Sequence, residues 1–257
     1  MQAMRATREE LYVSLDRTLE PSVVDRLESL MDRRLSREPM AYILGRKEFY
    51  GLMFGVSPDV LIPRPETEHL VEAALEVLNN KAVASRPVIL DIGTGSGAIA
   101  ISVALHSPKS LVIASDISSA AIKIAEANRR RYPSLDNLQF VIGDLSAWCQ
   151  GPVDVIVANL PYVPTSVVQT LDPEIKFHEP LGALDGGEDG MDFMRQIIDQ
   201  AVGLLTAKGS LILELDPSQF GPLCAFITET YGSVEFKVVK DLHGLDRTLV
   251  VNGLSVR

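Results

Sequence analysis

From Glu66 onward the chain alternates short apolar runs with stretches of helical period, and that alternation leaves few folds open. Residues 88–90, 111–114, 139–142, 153–158 and 211–215 read as buried strands, and residues 234–239 and 248–251 add two more. Helical patterns cover 97–106, 118–131, 191–205 and 219–231, preceded by one carrying Leu70, Val71, Ala74, Leu75 and Leu78. Elements of these lengths predict an α/β fold, a doubly wound and mostly parallel seven-stranded sheet covered on both faces. Such sheets bind ligands beyond the carboxyl ends of their strands, where the strand order reverses. The residues just after each strand are therefore where chemistry is to be sought.

The N-terminal part differs. Leu11, Val13 and Leu15 are followed by Val23, Val24, Leu27, Leu30 and Met31 at helical spacing, with Pro21-Ser22 as a start signal. A stretch from Pro39 to Pro65 is punctuated by proline and glycine, and alternation over 48–56 predicts a hairpin. Three parts follow: a helical lobe at 1–40, a hairpin and linker at 41–65, and the α/β domain at 66–257.

Charge narrows the function. The 257 residues carry a net charge of −10, and residues 1–50 are balanced, with nine basic and nine acidic side chains. All the excess acid thus lies on the α/β part, the opposite of the basic stripe by which proteins grip nucleic-acid phosphates. The one basic run, Arg129-Arg130-Arg131, falls at a helix end and reads as a solvated cap that complements the helix dipole. Apolar runs fall far short of the roughly 20 residues of a membrane span. Two cysteines, Cys149 and Cys224, make no disulfide scaffold. A soluble, cytoplasmic monomer with no metal, no membrane and no direct nucleic-acid partner is expected.

The first core strand runs into Asp91-Ile92-Gly93-Thr94-Gly95-Ser96-Gly97-Ala98. Glycines permit a tight strand-to-helix turn and close approach of a ligand to the backbone, while the helix start offers unpaired N–H groups. The run also satisfies the dinucleotide fingerprint, so alone it chooses no cofactor. Asp116 ends the second strand, 19 residues after Gly97, where a carboxylate can accept both hydroxyls of a ribose. It is also an ordinary helix cap. Asp144 and Leu145 follow the third strand, Asp144 in reach of an adenine amino group. Three consecutive strand ends of this kind point to a nucleoside-containing cofactor.

The fourth strand ends in Asn159-Leu160-Pro161-Tyr162. These residues resemble the Asn-Pro-Pro-Tyr signature of methyltransferases that use S-adenosylmethionine to methylate planar amino groups. An amide nitrogen is a poor nucleophile because its lone pair is delocalised. Two acceptors, the Asn159 side-chain oxygen and the Leu160 carbonyl, would each take one N–H and orient the nitrogen for in-line attack. Tyr162 is expected to stack on the planar group. Leu160 departs from the usual proline, but a role played by the main-chain carbonyl survives that change.

Flanking segments narrow the resemblance. Val60-Leu61-Ile62-Pro63-Arg64-Pro65-Glu66-Thr67-Glu68, the segment from Phe177 to Phe193 and Gly244-x-Asp246-Arg247 are similar to motifs of the HemK-type glutamine methyltransferases of peptide chain release factors. The resemblance runs from about Leu35 to Val251. It implies a class I methyltransferase fold with S-adenosylmethionine held by Gly93, Thr94, Gly95, Ser96, Gly97, Asp116, Asp144, Leu145 and Asn159. It further implies that Asn159, Leu160, Pro161 and Tyr162 hold the glutamine of a Gly-Gly-Gln loop, with Arg64 and Pro65 bordering the site and the helical lobe docking the release factor. Pro65 is equally read as a helix start, and His178-Glu179 as a satisfied loop pair. Asp216 replaces a common glycine and is expected to alter the sheet edge without touching the site. The helical lobe is shorter than is usual in the family. A DNA or RNA amino-methyltransferase is the alternative, disfavoured by the charge. A nucleotide-dependent oxidoreductase is opposed by Asn159–Tyr162, and a purely binding module by the intact acceptor pair.

Overall fold

The computed structural model describes residues 2–80 and 86–254; residues 81–85 and 255–257 of the expected α/β domain lie outside them. Helices α1 (Arg8–Val13), α2 (Pro21–Leu35) and α3 (Met40–Leu44) lead into a hairpin of β1 (Arg46–Phe49) and β2 (Leu52–Gly55). Helix α4 (Glu68–Asn80) opens the alternating part, followed by β3 (Val88–Ile92), α5 (Ala98–His106), β4 (Leu111–Asp116), α6 (Ser119–Arg129), β5 (Leu138–Ile142) and β6 (Val153–Ala158). Then come α7 (Thr165–Val168), α8 (Pro173–Lys176), α9 (Asp192–Leu204), β7 (Leu205–Glu214), α10 (Phe220–Tyr231), β8 (Glu235–Lys240) and β9 (Asp246–Asn252).

Strands β3 to β9 form the expected seven-stranded sheet, in the order β5-β4-β3-β6-β7-β9-β8. Only β9 runs against its neighbours. The order reverses between β3 and β6, where Ile92 lies opposite Ala158. The residues that follow, Gly93 and Asn159, therefore leave the sheet side by side at the switch point.

Both faces are covered. Strand β6 is buried at all its positions, as a central parallel strand should be. On one face α4 sets Leu70, Val71, Ala74 and Val77 into the core beside α5, whose residues from Ala98 to Ala104 are all buried. On the other, α9 buries Met194, Ile197, Ile198 and Ala201, a stripe at i, i+3, i+4 and i+7. The hairpin is anchored by Phe49 and Phe54, whose rings meet edge to face at 6.0 Å. Burying each ring contributes about 1.5–3 kcal/mol. Asn128 of α6 ties the hairpin down, taking the Gly55 N–H at 2.6 Å and donating to the Gly55 carbonyl at 2.9 Å.

Three local features depart from the sequence expectation. A short helix, α3, lies within the stretch read as hairpin and linker. Strand β7 begins at Leu205, six residues early, because a register shift between Val153 and Val155 lets the chain pair across Lys208-Gly209. The stretch between β6 and α9 holds α7, α8 and a single 3-10 turn at Leu181–Ala183, all too short for a periodic signal. In the lobe, α1 and α2 bury no residue, so Leu27, Met31 and Leu35 are exposed. Ion pairs from Arg34 and Arg37 to Glu174 connect α2 and its C-terminal turn to α8.

Candidate active site

The glycine loop is held from below and from one side. Asp91, 1% exposed, accepts the Thr94 hydroxyl at 2.6 Å and the Ala100 N–H at 3.1 Å on one oxygen, and its other oxygen has no partner among the described residues. Burial pushes its pKa up to about 7 against the pull of those hydrogen bonds. The Gly93 and Thr94 N–H groups both donate to the Ser115 carbonyl at 2.9 Å. Gly95 donates its N–H to Asp116 at 2.9 Å, and the other Asp116 oxygen accepts the Ser118 N–H at 2.9 Å. Asp116 thus braces the glycine loop, while each oxygen keeps a lone pair for a ligand hydroxyl. Burial raises its pKa, and the two backbone donors oppose the rise.

Gly95 and Gly97 have positive φ angles of 55° and 80°. A side chain on Gly97 would crowd Ala125, whereas nothing lies within 4 Å of a Cβ placed on Gly95. The loop is therefore open on its ligand side. Helix α5 has no side-chain cap from its N-cap residue, and although Asp91 takes the Ala100 N–H, those of Ala98 and Ile99 are left for an incoming acceptor. A cavity of about 400 Å³ lies above it, within the range for a nucleoside-sized ligand. Gly93–Ser96, Asp116, Gly143–Leu145 and Asn159–Pro161 line that cavity, with Arg64 and Thr67 at its linker side. Glycine-loop backbone, a carboxylate at the second strand end and an exposed Asp144 at the third make a donor and acceptor set that suits a ribose and an adenine. The cavity thus fits the nucleoside cofactor that the strand ends implied.

The tetrapeptide is built into the same cavity. Asn159 Nδ2 donates to the Thr67 hydroxyl at 3.0 Å, which leaves Oδ1 as the amide's acceptor. Leu160 is buried, and its side chain packs against Gly93, where a Cβ would sit 3.1 Å from Leu160 Cδ2. Tyr162, expected to stack on a substrate, does not line the cavity. Its hydroxyl donates to Glu214 at 3.3 Å instead, and burial raises its pKa. Pro65, expected at the border, is the first residue of the 3-10 turn Pro65–Thr67 and also stays out of the cavity. Arg64 does line it, but its guanidinium is paired with Glu179.

The segment after the tetrapeptide acts as its buttress. A Cβ on Gly186 would lie 2.6 Å from the Pro161 carbonyl oxygen, and one on Gly190 would run into the Tyr162 carbonyl. Gln219, buried, donates to the Tyr162 carbonyl at 2.8 Å and to that of Gly190 at 3.2 Å. Asp216 caps the turn Pro217–Gln219 and lies outside the cavity. The sequence reading did not assign Thr67, Glu214 and Gln219 to the site. Thr67 lies inside a segment singled out for resemblance and Glu214 inside the strand read at 211–215, whereas Gln219 carries no signal because its partners are backbone atoms. Glu179 accepts from the Ile62 N–H at 3.2 Å as well as from Arg64, and a His178 ring nitrogen lies 3.4 Å from the Ser36 carbonyl, so both members of the loop pair have partners. Among the described residues no cluster has the makings of a metal site, and no helix is long and apolar enough to cross a membrane.

Comparison with known proteins bears on this geometry. Residues 1–45 match the PrmC N-terminal domain, and residues 67–178 match the ribosomal protein L11 methyltransferase (PrmA) family. The release factor glutamine methyltransferase of Geobacter sulfurreducens is 38% identical over 247 residues, covering 96% of this chain and 84% of that protein. The MTRF1L release factor glutamine methyltransferase of Homo sapiens is 42% identical over 201 residues, covering 74% of this chain and 60% of that one. Among solved structures, the hMettl16 catalytic domain superposes with a TM-score of 0.63 at 14% identity, over 93% of this chain and 84% of that one. A methyltransferase from Pyrococcus furiosus gives 0.53 at 19%, over 91% and 99%. The last two likenesses establish the class I methyltransferase fold and nothing finer.

Proposed function

The chain belongs to the release factor glutamine methyltransferases, and from that premise we propose how its cavity carries out the reaction. It is an S-adenosylmethionine-dependent protein-glutamine N-methyltransferase that acts on peptide chain release factors. Gly93–Gly97, Asp116, Asp144, Leu145 and Asn159 hold the cofactor. When bound, S-adenosylmethionine supplies an electrophilic methyl group on a sulfonium centre.

Asn159 Oδ1 and the Leu160 carbonyl would each accept a hydrogen bond from one N–H of the substrate amide and so fix the nitrogen's lone pair toward the cofactor subsite. The nitrogen gives up one of these protons to solvent water once it carries the methyl group. Fixing that geometry is the larger part of the rate gain for a weak nucleophile. The same acceptors stabilise positive charge as it develops on nitrogen. Leu160 closes the cavity floor against Gly93, which excludes water. Pro161 and Tyr162 act through the backbone that Gln219 and Gly186 hold in place. The substrate residue is the glutamine of the Gly-Gly-Gln loop. Residues 1–40 form the docking lobe, whose exposed apolar residues include the stripe of Leu27, Met31 and Leu35. Residues 41–65 link it to the catalytic domain at 66–257, and the enzyme works as a monomer on a protein substrate.

One observation carries this reading: Asn159 shares a cavity with the glycine loop while its Nδ2 is already tied to Thr67, so the group it offers is an acceptor. The test is transfer of radiolabelled methyl from S-adenosylmethionine to purified release factor, in competition with transfer RNA and DNA. Label is expected on the release factor. Label on nucleic acid alone would overturn the reading.

A further inference from the structure

Glu214 ends β7 with its carboxyl 2% exposed, directly behind the tetrapeptide. Burying a carboxylate costs several kcal/mol unless it is matched by partners. Here the match is incomplete: Oε1 takes the Tyr162 hydroxyl at 3.3 Å, whereas Oε2 has no hydrogen bond in full geometry. The Thr67 hydroxyl, which helps to hold the carboxyl's pKa down, makes no hydrogen bond to it of normal geometry and is the acceptor for Asn159 Nδ2. A hydroxyl has one proton, so a Thr67 oxygen that accepts from Asn159 must send its own proton elsewhere. Glu214 Oε2, the buried oxygen beside it that lacks a donor, is the acceptor on offer.

We propose that Glu214 is a positioning residue that sets the polarity of a relay running from Asn159 through Thr67 to Glu214, and so keeps an oxygen of Asn159 turned to the substrate. The inference rests on the role given above to Asn159. An acceptor-only group at the end of the relay forces every donor to point toward it. If the terminus could donate, Thr67 would turn its proton to Asn159 Oδ1, the amide would flip, and N–H groups would meet the N–H groups of the substrate. Two donors facing each other hold nothing in place. Tyr162, at the other end of the tetrapeptide, donates into the same carboxyl, so both ends are referred to one point.

Protonation of Glu214 makes the same reversal as an amide would. Burial raises its pKa; the Thr67 and Tyr162 hydroxyls and Arg247 of β9 oppose that rise, and Glu66 of the 3-10 turn adds to it. These are the charged and titratable groups facing it. Turnover should therefore fall on the acid side as Glu214 takes up a proton.

Glu214→Gln keeps the shape and supplies a donor; Thr67→Val removes the relay without touching the carboxyl. Each is expected to lower kcat on the order of 10- to 100-fold, the scale of losses from misplacing a reacting group. KM for the release factor and calorimetric affinity for S-adenosylhomocysteine should stay close to wild type. The double variant should lose no more than either single one, and the acid limb of the kcat profile should vanish in Glu214→Gln. A structure-only role predicts the opposite: unchanged kcat in soluble variants, additive losses, and an acid limb that persists. An activity-independent readout is the Asn159 side-chain NH₂ resonance, assigned by its absence in Asn159→Asp. It should shift in Glu214→Gln and in Thr67→Val. An unchanged resonance overturns the relay even in an enzyme that methylates release factor, and a shifted one upholds it even if the substrate assignment fails.

Discussion

The Arg64 guanidinium pairs with a Glu179 carboxylate that is 1% exposed, and this ion pair joins the linker to the loop before α9 beside the cavity that Arg64 lines. Glu179 also takes the Ile62 N–H at 3.2 Å, and Tyr42 donates its hydroxyl to the Val60 carbonyl at 2.6 Å. The linker from Val60 to Thr67 is thus fixed at several points, and Thr67 arrives under Asn159 as a result.

Glu179→Ala removes an acceptor and leaves Arg64 and the Ile62 N–H unpaired. Breaking a buried pair costs about 3–5 kcal/mol. Because Arg64 is 32% exposed and recovers some hydration, about 3 kcal/mol is expected, read as a lower urea midpoint at unchanged slope. Because Glu179 does not line the cavity, the pH profile of the remaining activity should keep its shape; a lost basic or acidic limb would contradict this.

Gly186→Ala places a methyl group 2.6 Å from the Pro161 carbonyl oxygen and 2.7 Å from that of Gly190. Backbone on both sides cannot yield as a side-chain tip would. The tetrapeptide should shift, with kcat reduced at least tenfold and cofactor affinity less affected, because the atoms nearest the added methyl belong to Pro161 and Gly190 and not to the glycine loop. Equal losses in both would place the buttress under the cofactor instead.

Asp91 gives a pH dependence of stability. Its pKa is about 7 in the folded chain because of burial, against the ordinary 3.8 once unfolded. Between these values the unfolded chain has lost a proton that the folded chain keeps, so stability falls as pH rises from about 4 to about 7 and is level above. Asp91→Asn lacks this slope. Urea midpoints across that range should show wild type losing up to about 4 kcal/mol relative to Asp91→Asn. Parallel curves would contradict it.

Asn159→Ala and Asp116→Ala separate the two halves of the site. The first should abolish turnover and leave S-adenosylhomocysteine binding largely intact. The second should weaken binding first, because Asp116 both braces Gly95 and faces the cavity. Calorimetry beside single-turnover rates distinguishes them, and a common loss of binding in both would refute the division.

What was legible in the sequence follows the physics of the sheet. Buried strands announce themselves as apolar runs, and a parallel sheet puts function at their ends, so Gly93–Gly97, Asp116, Asp144 and Asn159 can be picked out, and all but Gly97 line one cavity. Leu160 likewise lines it with the carbonyl retained. Side-chain direction was not legible. Tyr162 has the composition of a stacking residue, yet the acceptor at Glu214 turns its hydroxyl inward. Pro65 has the composition of a border residue and begins a 3-10 turn. Gln219 is invisible because it binds three backbone carbonyls, those of Tyr162, Asp189 and Gly190, which leave no trace in a sequence pattern. The apolar stripe of α2 has helical spacing, but spacing alone does not say whether anything covers it.

The central claim is that Asn159 and Leu160 present a release-factor glutamine for methylation. It is tested most directly by mapping the modified residue by tandem mass spectrometry after incubating release factor with the enzyme and S-adenosylmethionine. One methyl group on the side-chain amide of the Gly-Gly-Gln glutamine, present with wild type and absent with Asn159→Ala, is the predicted result. A release factor left unmodified at that glutamine by the active wild-type enzyme would contradict it.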